Sequence, residues 1–169
     1  MSPFLFGASS FKVVQHNGRG IVLARHDAQQ LAGKCIKNLA RTAHALCLEE
    51  VHGHSQEIIS ILSLWLPGWK IFSSSALRAD GTHNFGAGGV AIALCPAIAA
   101  GAMAIDHHIL IDGRCNSVSI KYSTGRICLT NLHNYNFTPG QVRRVGSFMA
   151  KLAAEDRANP TANFFVPYW

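Results

Sequence analysis

Ala45-Leu46-Cys47-Leu48-Glu49-Glu50-Val51-His52-Gly53 is the stretch on which the fold turns. An uninterrupted apolar run leads into two adjacent carboxylates, a histidine and a glycine. Such a run, bounded by polar residues and glycine, suits a buried strand of a mostly parallel sheet. In α/β proteins ligands bind beyond the carboxyl ends of these strands, where loops leave the packed core. Successive strand side chains alternate between faces. The spacing therefore predicts that Glu49 and Glu50 look opposite ways and that only one serves a given site. Read alone, the pair is equally a solvated strand end or a catalytic or metal-binding group.

Upstream, Phe11–Gln15 reads as a first strand, and His16-Asn17-Gly18-Arg19-Gly20 as a loop with Asn-Gly as its turn signal. Asp27 is placed to cap a helix whose apolar stripe is Ala28, Leu31, Ala32, Cys35, Ile36, Leu39 and Ala40. Downstream, Ser55 is placed to cap a second helix, which Pro67 ends. Strands follow at Lys70–Ser73 and Gly89–Leu94, separated by a polar loop. His108–Ile111, Asp112-Gly113 and Asn116–Tyr122 read as a hairpin with a two-residue turn. Arg126–Leu132 then lies antiparallel to its neighbour because the connection is short. Thr138-Pro139-Gly140-Gln141 opens a helix with a capping box and proline at its first position. That helix carries Val142, Val145, Phe148, Met149, Leu152 and Ala153 on its apolar face. Asn163–Val166 begins one more strand. The order predicts an α/β (α+β) fold with mixed sheets flanked by helices.

The composition bounds the function. Hydrophobic residues make up 49% of the 169, and charged residues only 14%, so the chain is not a disordered one. The formal net charge is +6, which favours an anionic partner such as nucleic acid or a phosphorylated substrate. The five cysteines are odd in number and lack C-x-x-C spacing, as in reduced, mostly buried thiols of an intracellular protein. Met1–Gly7 has no leading positive charge and too short an apolar run for a signal peptide. Gly88–Ile105 is free of charge, but its Ala, Gly and Pro96 suit a strand and a loop rather than a membrane span.

Four segments in this order resemble the endonuclease/exonuclease/phosphatase superfamily, which is DNase I-like. Gln15-His16-Asn17-Gly18 stands where the family has N-x-[ND]-G, and Glu49-Glu50-Val51-His52 where it has Q-E-[TV]-H. Gly88-Gly89-Val90-Ala91-Ile92 matches its G-G-V-[AG]-[IV] strand. Asn131-Leu132-His133-Asn134-Tyr135-Asn136 matches N-[VL]-[YH]-x-x-N. The L-x-E-V-H-G and N-x-H-N-x-x-[FL]-T-P-G-Q spacings are most similar to retrotransposon-type members, alongside abasic-site endonucleases. The resemblance implies a partial four-layer DNase I-like sandwich over residues 11–169, preceded by a segment at 1–10. It also implies that the family's G-D-[FW]-N motif would follow Phe164-Phe165-Val166. On that expectation the chain holds the first half to two-thirds of the domain and is weak or inactive alone.

The same resemblance assigns roles. Glu50 would hold Mg2+ (or Mn2+), with Gln15 beside it in place of the family's asparagine. The metal would act as a Lewis acid on a DNA phosphodiester. His133 replaces a tyrosine and would donate to a phosphate oxygen, and Asn136 would position the phosphate or the aspartate of the family's later motif. Asn17 and Asn134 would contact substrate, and Arg19, Arg78 and Lys121 are further substrate-binding candidates on charge alone. His52 and His54 have H-x-H spacing, but no further zinc ligands accompany them. Trp65 and Trp69 read as packing residues. Gly86-x-Gly88-Gly89 precedes a strand, so it lacks the geometry of a phosphate loop. Two other readings stay open, a non-catalytic nucleic-acid-binding remnant and a phosphatase or inositol-phosphate phosphodiesterase of the same fold.

Overall fold

The computed structural model describes residues 11–22, 24–123, 125–133 and 137–155, together with the backbone of Asp156 and of residues 162–168. The chain runs β1 (Val13–Asn17), α1 (His26–Ala40), β2 (Ala45–Glu49), α2 (Ser55–Trp65), β3 (Lys70–Ser74), β4 (Val90–Leu94) and α3 (Pro96–Ala100). It continues through β5 (Ala104–Ile111), β6 (Cys115–Tyr122), β7 (Gly125–His133), α4 (Pro139–Asp156) and β8 (Ala162–Tyr168). One sheet has the order β1-β2-β4-β3 and the other β5-β6-β7-β8. Each mixes one parallel pair with antiparallel ones.

β2 is buried on both faces, as its apolar run predicts. Leu46 and Leu48 pack with Ile36 of α1 and Ile58 and Leu62 of α2. Ala45 and Cys47 face the other way, against Val118, Ile120, Ile127 and Leu129 of the second sheet. The outer face of that sheet meets Val145, Phe148 and Met149 of α4. The result is four layers: helices, sheet, sheet, helix. Each fully buried Leu or Ile contributes about 1.5–3 kcal/mol, so these three clusters dominate the stability. Asn131 of β7 crosses between the sheets. Its amide Nδ2 donates to the backbone oxygens of Leu48 (3.0 Å) and Ala91 (3.1 Å).

Several local expectations shift. β1 reaches Asn17 rather than stopping at Gln15, because β2 pairs with it as far as Glu49. Asp27 does not cap α1. The cap is Arg25, without a side-chain bond, and Asp27 sits in the first turn against the positive end of the helix dipole. The stripe of α1 is narrower than predicted. Gly33 and Ile36 are buried, but Ala28, Leu31 and Cys35 are exposed. A Cβ at Gly33 would lie 2.8 Å from the Trp65 ring, so the helix turns its glycine toward that contact.

Ser55 does not cap α2 either. His54 does: its Nδ1 accepts from the Gln56 backbone N–H (3.3 Å), and Glu57 Oε2 accepts from the His54 N–H (2.9 Å). Ser55 is occupied elsewhere, its hydroxyl 2.7 Å from that of Ser75. Pro96 starts a short helix where a loop was expected. The hairpin turn has three residues, since Ile111 pairs with Cys115, and Gly113 takes φ 63° within it. The capping box of α4 forms as predicted between Thr138 and Gln141. Val142 and Ala153 are exposed, outside its buried face. Trp65 and Trp69 pack on the core. Four cysteines are buried and Cys35 is exposed, all as free thiols. No helix among the described residues is long and apolar enough to cross a membrane.

Candidate active site at the strand ends

Strand alternation brings three polar side chains to the inner rim of the sandwich. Val13, Gln15 and Asn17 share one face of β1; Ala45, Cys47 and Glu49 share the matching face of β2. Ile127, Leu129, Asn131 and His133 share the facing side of β7. The apolar members fill the core between the sheets. At the carboxyl ends of these strands, Gln15, Glu49 and His133 therefore meet. Gln15 Nε2 donates to Glu49 Oε1, and His133 Nδ1 donates to Glu49 Oε2 (3.0 Å). The Glu49 side chain is 1% exposed, so these two donors replace its water.

Glu50 joins the same group, against the expectation that alternation would separate it from Glu49. β2 ends at Glu49, and Glu50 takes φ 51°. This left-handed residue breaks the period of two and swings its carboxylate back toward β7. The loops hold it there: Gly18 N–H donates to Glu49 O and Gly20 N–H to Glu50 O, both at 2.6 Å. On the other side Val51 and His52 donate to the backbone oxygens of Gly89 (3.1 Å) and Gly88 (3.0 Å). Arg19 (φ 47°) and His52 (φ 54°) are left-handed as well. Such conformations cost about 1–3 kcal/mol each, and here three of them cluster on one rim.

His133 Nε2 lies 2.7 Å from Glu50 Oε1, and His52 Nε2 lies 2.9 Å from Glu50 Oε2. Each nitrogen of His133 thus faces a carboxylate. Carboxylates only accept, so the ring satisfies both as an imidazolium donating from Nδ1 and Nε2. Its pKa is accordingly raised: the bond to Glu49 outweighs burial, helped by the charges of Glu50 and Glu49 and opposed by Arg114. Burial pushes Glu50 up, but the bond from His52 and the charges of His133 and His52 bring its carboxyl below the ordinary value.

Glu50 and His133 open onto a pocket of about 460 Å³, together with Asn17, Arg19, Arg114, Ala87 and Gly88. Asn17 Oδ1 accepts from the Arg19 N–H (2.9 Å), fixing the turn that presents both. The structure thus brings Glu50, His133, Asn17 and Arg19 together. Gln15 lies deeper, spent on Glu49, and does not line the pocket. Arg78 and Lys121 are exposed and do not line it either. Asn134 and Asn136 lie outside the described residues. Two residues were missed. Glu49 was set aside by the alternation rule, although a carboxylate closing an apolar run signals a buried partner. Arg114 sits in the hairpin turn, where charge alone marks it.

Among the described residues no three His, Cys, Asp or Glu side chains converge as a metal ligand set. Glu50 with the Asn17 amide, on an open pocket, is nonetheless a donor set that fits magnesium. That ion takes one or two protein carboxylates and keeps waters for its other positions.

No protein-family model and no curated protein matches the sequence. Solved structures do match the fold. An AP endonuclease from Leishmania major aligns with TM-score 0.53 and 17% identity, over 85% of this chain and 47% of its own. TDP2 from Caenorhabditis elegans aligns with TM-score 0.54 and 18% identity, over 90% of this chain and 45% of its own. An endonuclease/exonuclease/phosphatase family protein from Leptotrichia buccalis gives 0.55 and 13%, over 84% of this chain and 63% of its own. The chain spans about half the length of the first two.

Proposed function

The chain having the DNase I-like fold of the endonuclease/exonuclease/phosphatase superfamily, we propose that it is a divalent-metal-dependent phosphodiester hydrolase domain acting on DNA. We infer a retroelement-type lineage from its L-x-E-V-H-G and N-x-H-N motifs. The observation that carries the activity is the Glu50 carboxylate at the pocket wall, oriented by two imidazoles and flanked by Arg19 and Arg114.

Arg19 and Arg114 supply the cationic wall that a phosphodiester anion needs. Asn17 and Glu50 would hold a magnesium or manganese ion, which when bound supplies Lewis-acid polarisation of the phosphate. His52 and His133 fix the rotamer of Glu50, and Glu49 with Gln15 fixes His133 in turn. Ordering of this kind holds a reacting group within the narrow tolerance that chemistry requires. Among the described residues Glu50 is the one carboxylate on the pocket. Among those residues no second carboxylate stands ready to take a proton from water. General-base catalysis is worth about 10²–10⁴-fold, so a site relying on these described residues alone is expected to turn over slowly.

The test is nicking of supercoiled plasmid by the purified chain, with magnesium and with chelator. Slow, metal-dependent nicking that disappears in Glu50→Gln is expected. Nicking that survives both chelator and Glu50→Gln would overturn the assignment. The +6 net charge favours a second reading, binding without cleavage. A DNA gel shift that weakens steeply with salt, without metal-dependent nicking, would select it.

A further inference from the structure

Three aromatic rings form a stack next to the pocket. His54 is the base, its ring held in place by capping α2. His83 meets it edge-on, with centroids 4.4 Å apart and 64° between planes. Phe85 stacks on His83 at 5.7 Å and 23°. Phe85 is 44% exposed, a large apolar residue left open to solvent. The Nδ1 atom of His83 is covered and has no hydrogen-bond partner among the described residues.

The stack rides on a small braced hairpin. Leu77 and His83 form a bridge, Arg78 N–H donates to Thr82 O (2.8 Å), and Asn84 N–H donates to Ala76 O (2.8 Å). Gly53 N–H donates to Phe85 O (3.3 Å), tying the hairpin to the segment that follows Glu50. Ala87 and Gly88 line the pocket. Three residues of chain span at most about 11 Å, so Phe85 lies within reach of the nucleotides beside a phosphate bound there. Arg78, exposed in the same hairpin, adds charge along that path.

We propose that Phe85, backed by His83 and His54, is a stacking platform for an unpaired nucleobase flanking the phosphodiester in the pocket. The platform selects single-stranded DNA or an unpaired strand end. Bases inside a duplex are already stacked on both faces and offer no free face to Phe85. The chemistry is sequence-tolerant, since every base has a π-face, and the rigid stack is already formed before the base arrives. This inference rests on the reading that the pocket takes a phosphodiester.

The experiment is fluorescence anisotropy without divalent ions, using three labelled DNAs: a short single strand, the same strand carrying abasic residues, and a blunt duplex of that sequence. Phe85→Ala should weaken single-strand binding by about tenfold or more and leave duplex binding unchanged. Phe85→Trp should retain the affinity, and the abasic strand should bind the unaltered protein as poorly as the normal strand binds Phe85→Ala. Thermal midpoints equal to that of the unaltered protein confirm that these exposed-site variants are folded. Equal single-strand affinity for Phe85→Ala and the unaltered protein would overturn the platform. If Arg19→Ala still weakened binding in that case, the pocket reading would stand. Failure of the unaltered protein to bind any of the three DNAs would overturn both.

Discussion

Replacing His133 by phenylalanine isolates the polar cluster at the rim. The ring stays planar and of similar size but loses both donors. Glu49, with its side chain 1% exposed, is then left with Gln15 as its side-chain partner. Glu50 is 27% exposed and keeps His52, so it contributes little to the loss. Removing one partner of a buried charge pair costs about 3–5 kcal/mol, a large part of the roughly 5–15 kcal/mol that holds a domain folded. With a urea m-value of roughly 2 kcal/mol per M, the unfolding midpoint should fall by about 1.5–2.5 M. Circular dichroism in urea measures this directly. Adding Glu49→Gln to His133→Phe removes the stranded charge and should recover most of the loss. A single variant within about 0.5 kcal/mol of the unaltered protein would refute the account. So would a double variant no more stable than the single one.

The same cluster sets a pH window. His133 has a raised pKa, so its contribution is full below about 6.5 and fades as pH rises through its higher folded value; Glu50 has a lowered one, so its contribution is full above about 4.3 and fades as pH falls through its folded value. Urea midpoints across pH should therefore be highest between these limits, and His133→Phe should flatten the alkaline side. Gly113→Ala should destabilise by about 1–3 kcal/mol, read as a lower urea midpoint. Its Cβ would collide with the backbone of Ala76, and Gly113 sits at φ 63°.

The layers were legible because hydrophobic periodicity records which faces are buried. Ala45–Leu48 declared a strand covered on both sides, and Thr138-Pro139 with Gln141 marked the start of α4. Placement by the strand ends was legible too, which is why Asn17, Glu50 and His133 were sought together. Periodicity cannot register the point at which a strand stops being one. Alternation puts Glu49 and Glu50 on opposite faces, with Glu50 alone at the site, because nothing in Glu-Glu-Val-His announces φ 51° at Glu50. That geometry is held by the backbone bond Glu50 accepts from Gly20 and by those Val51 and His52 donate to Gly89 and Gly88, glycines of loops distant in the chain. Capping was misplaced for a related reason. Ser55 is the better capping residue by type, but the hydroxyl of Ser75 engages it and His54 takes the position. Arg114 was missed because loop cations follow no repeat.

The shared amide of Asn131 has a consequence for the width of the pocket. Asn17 and Glu50 belong to one slab of the sandwich, while His133 and Arg114 belong to the other. Leu48 and Ala91, whose carbonyls both take hydrogens from Asn131, sit directly opposite one another on β2 and β4. A single rivet thus grips two strands of the far slab at once. Sliding one slab over the other would strand the buried Asn131 amide without acceptors, at a cost of about 1–3 kcal/mol. The spacing between Glu50 on one slab and Arg114 on the other is in this way gauged from inside the protein, by a residue that does not line the pocket.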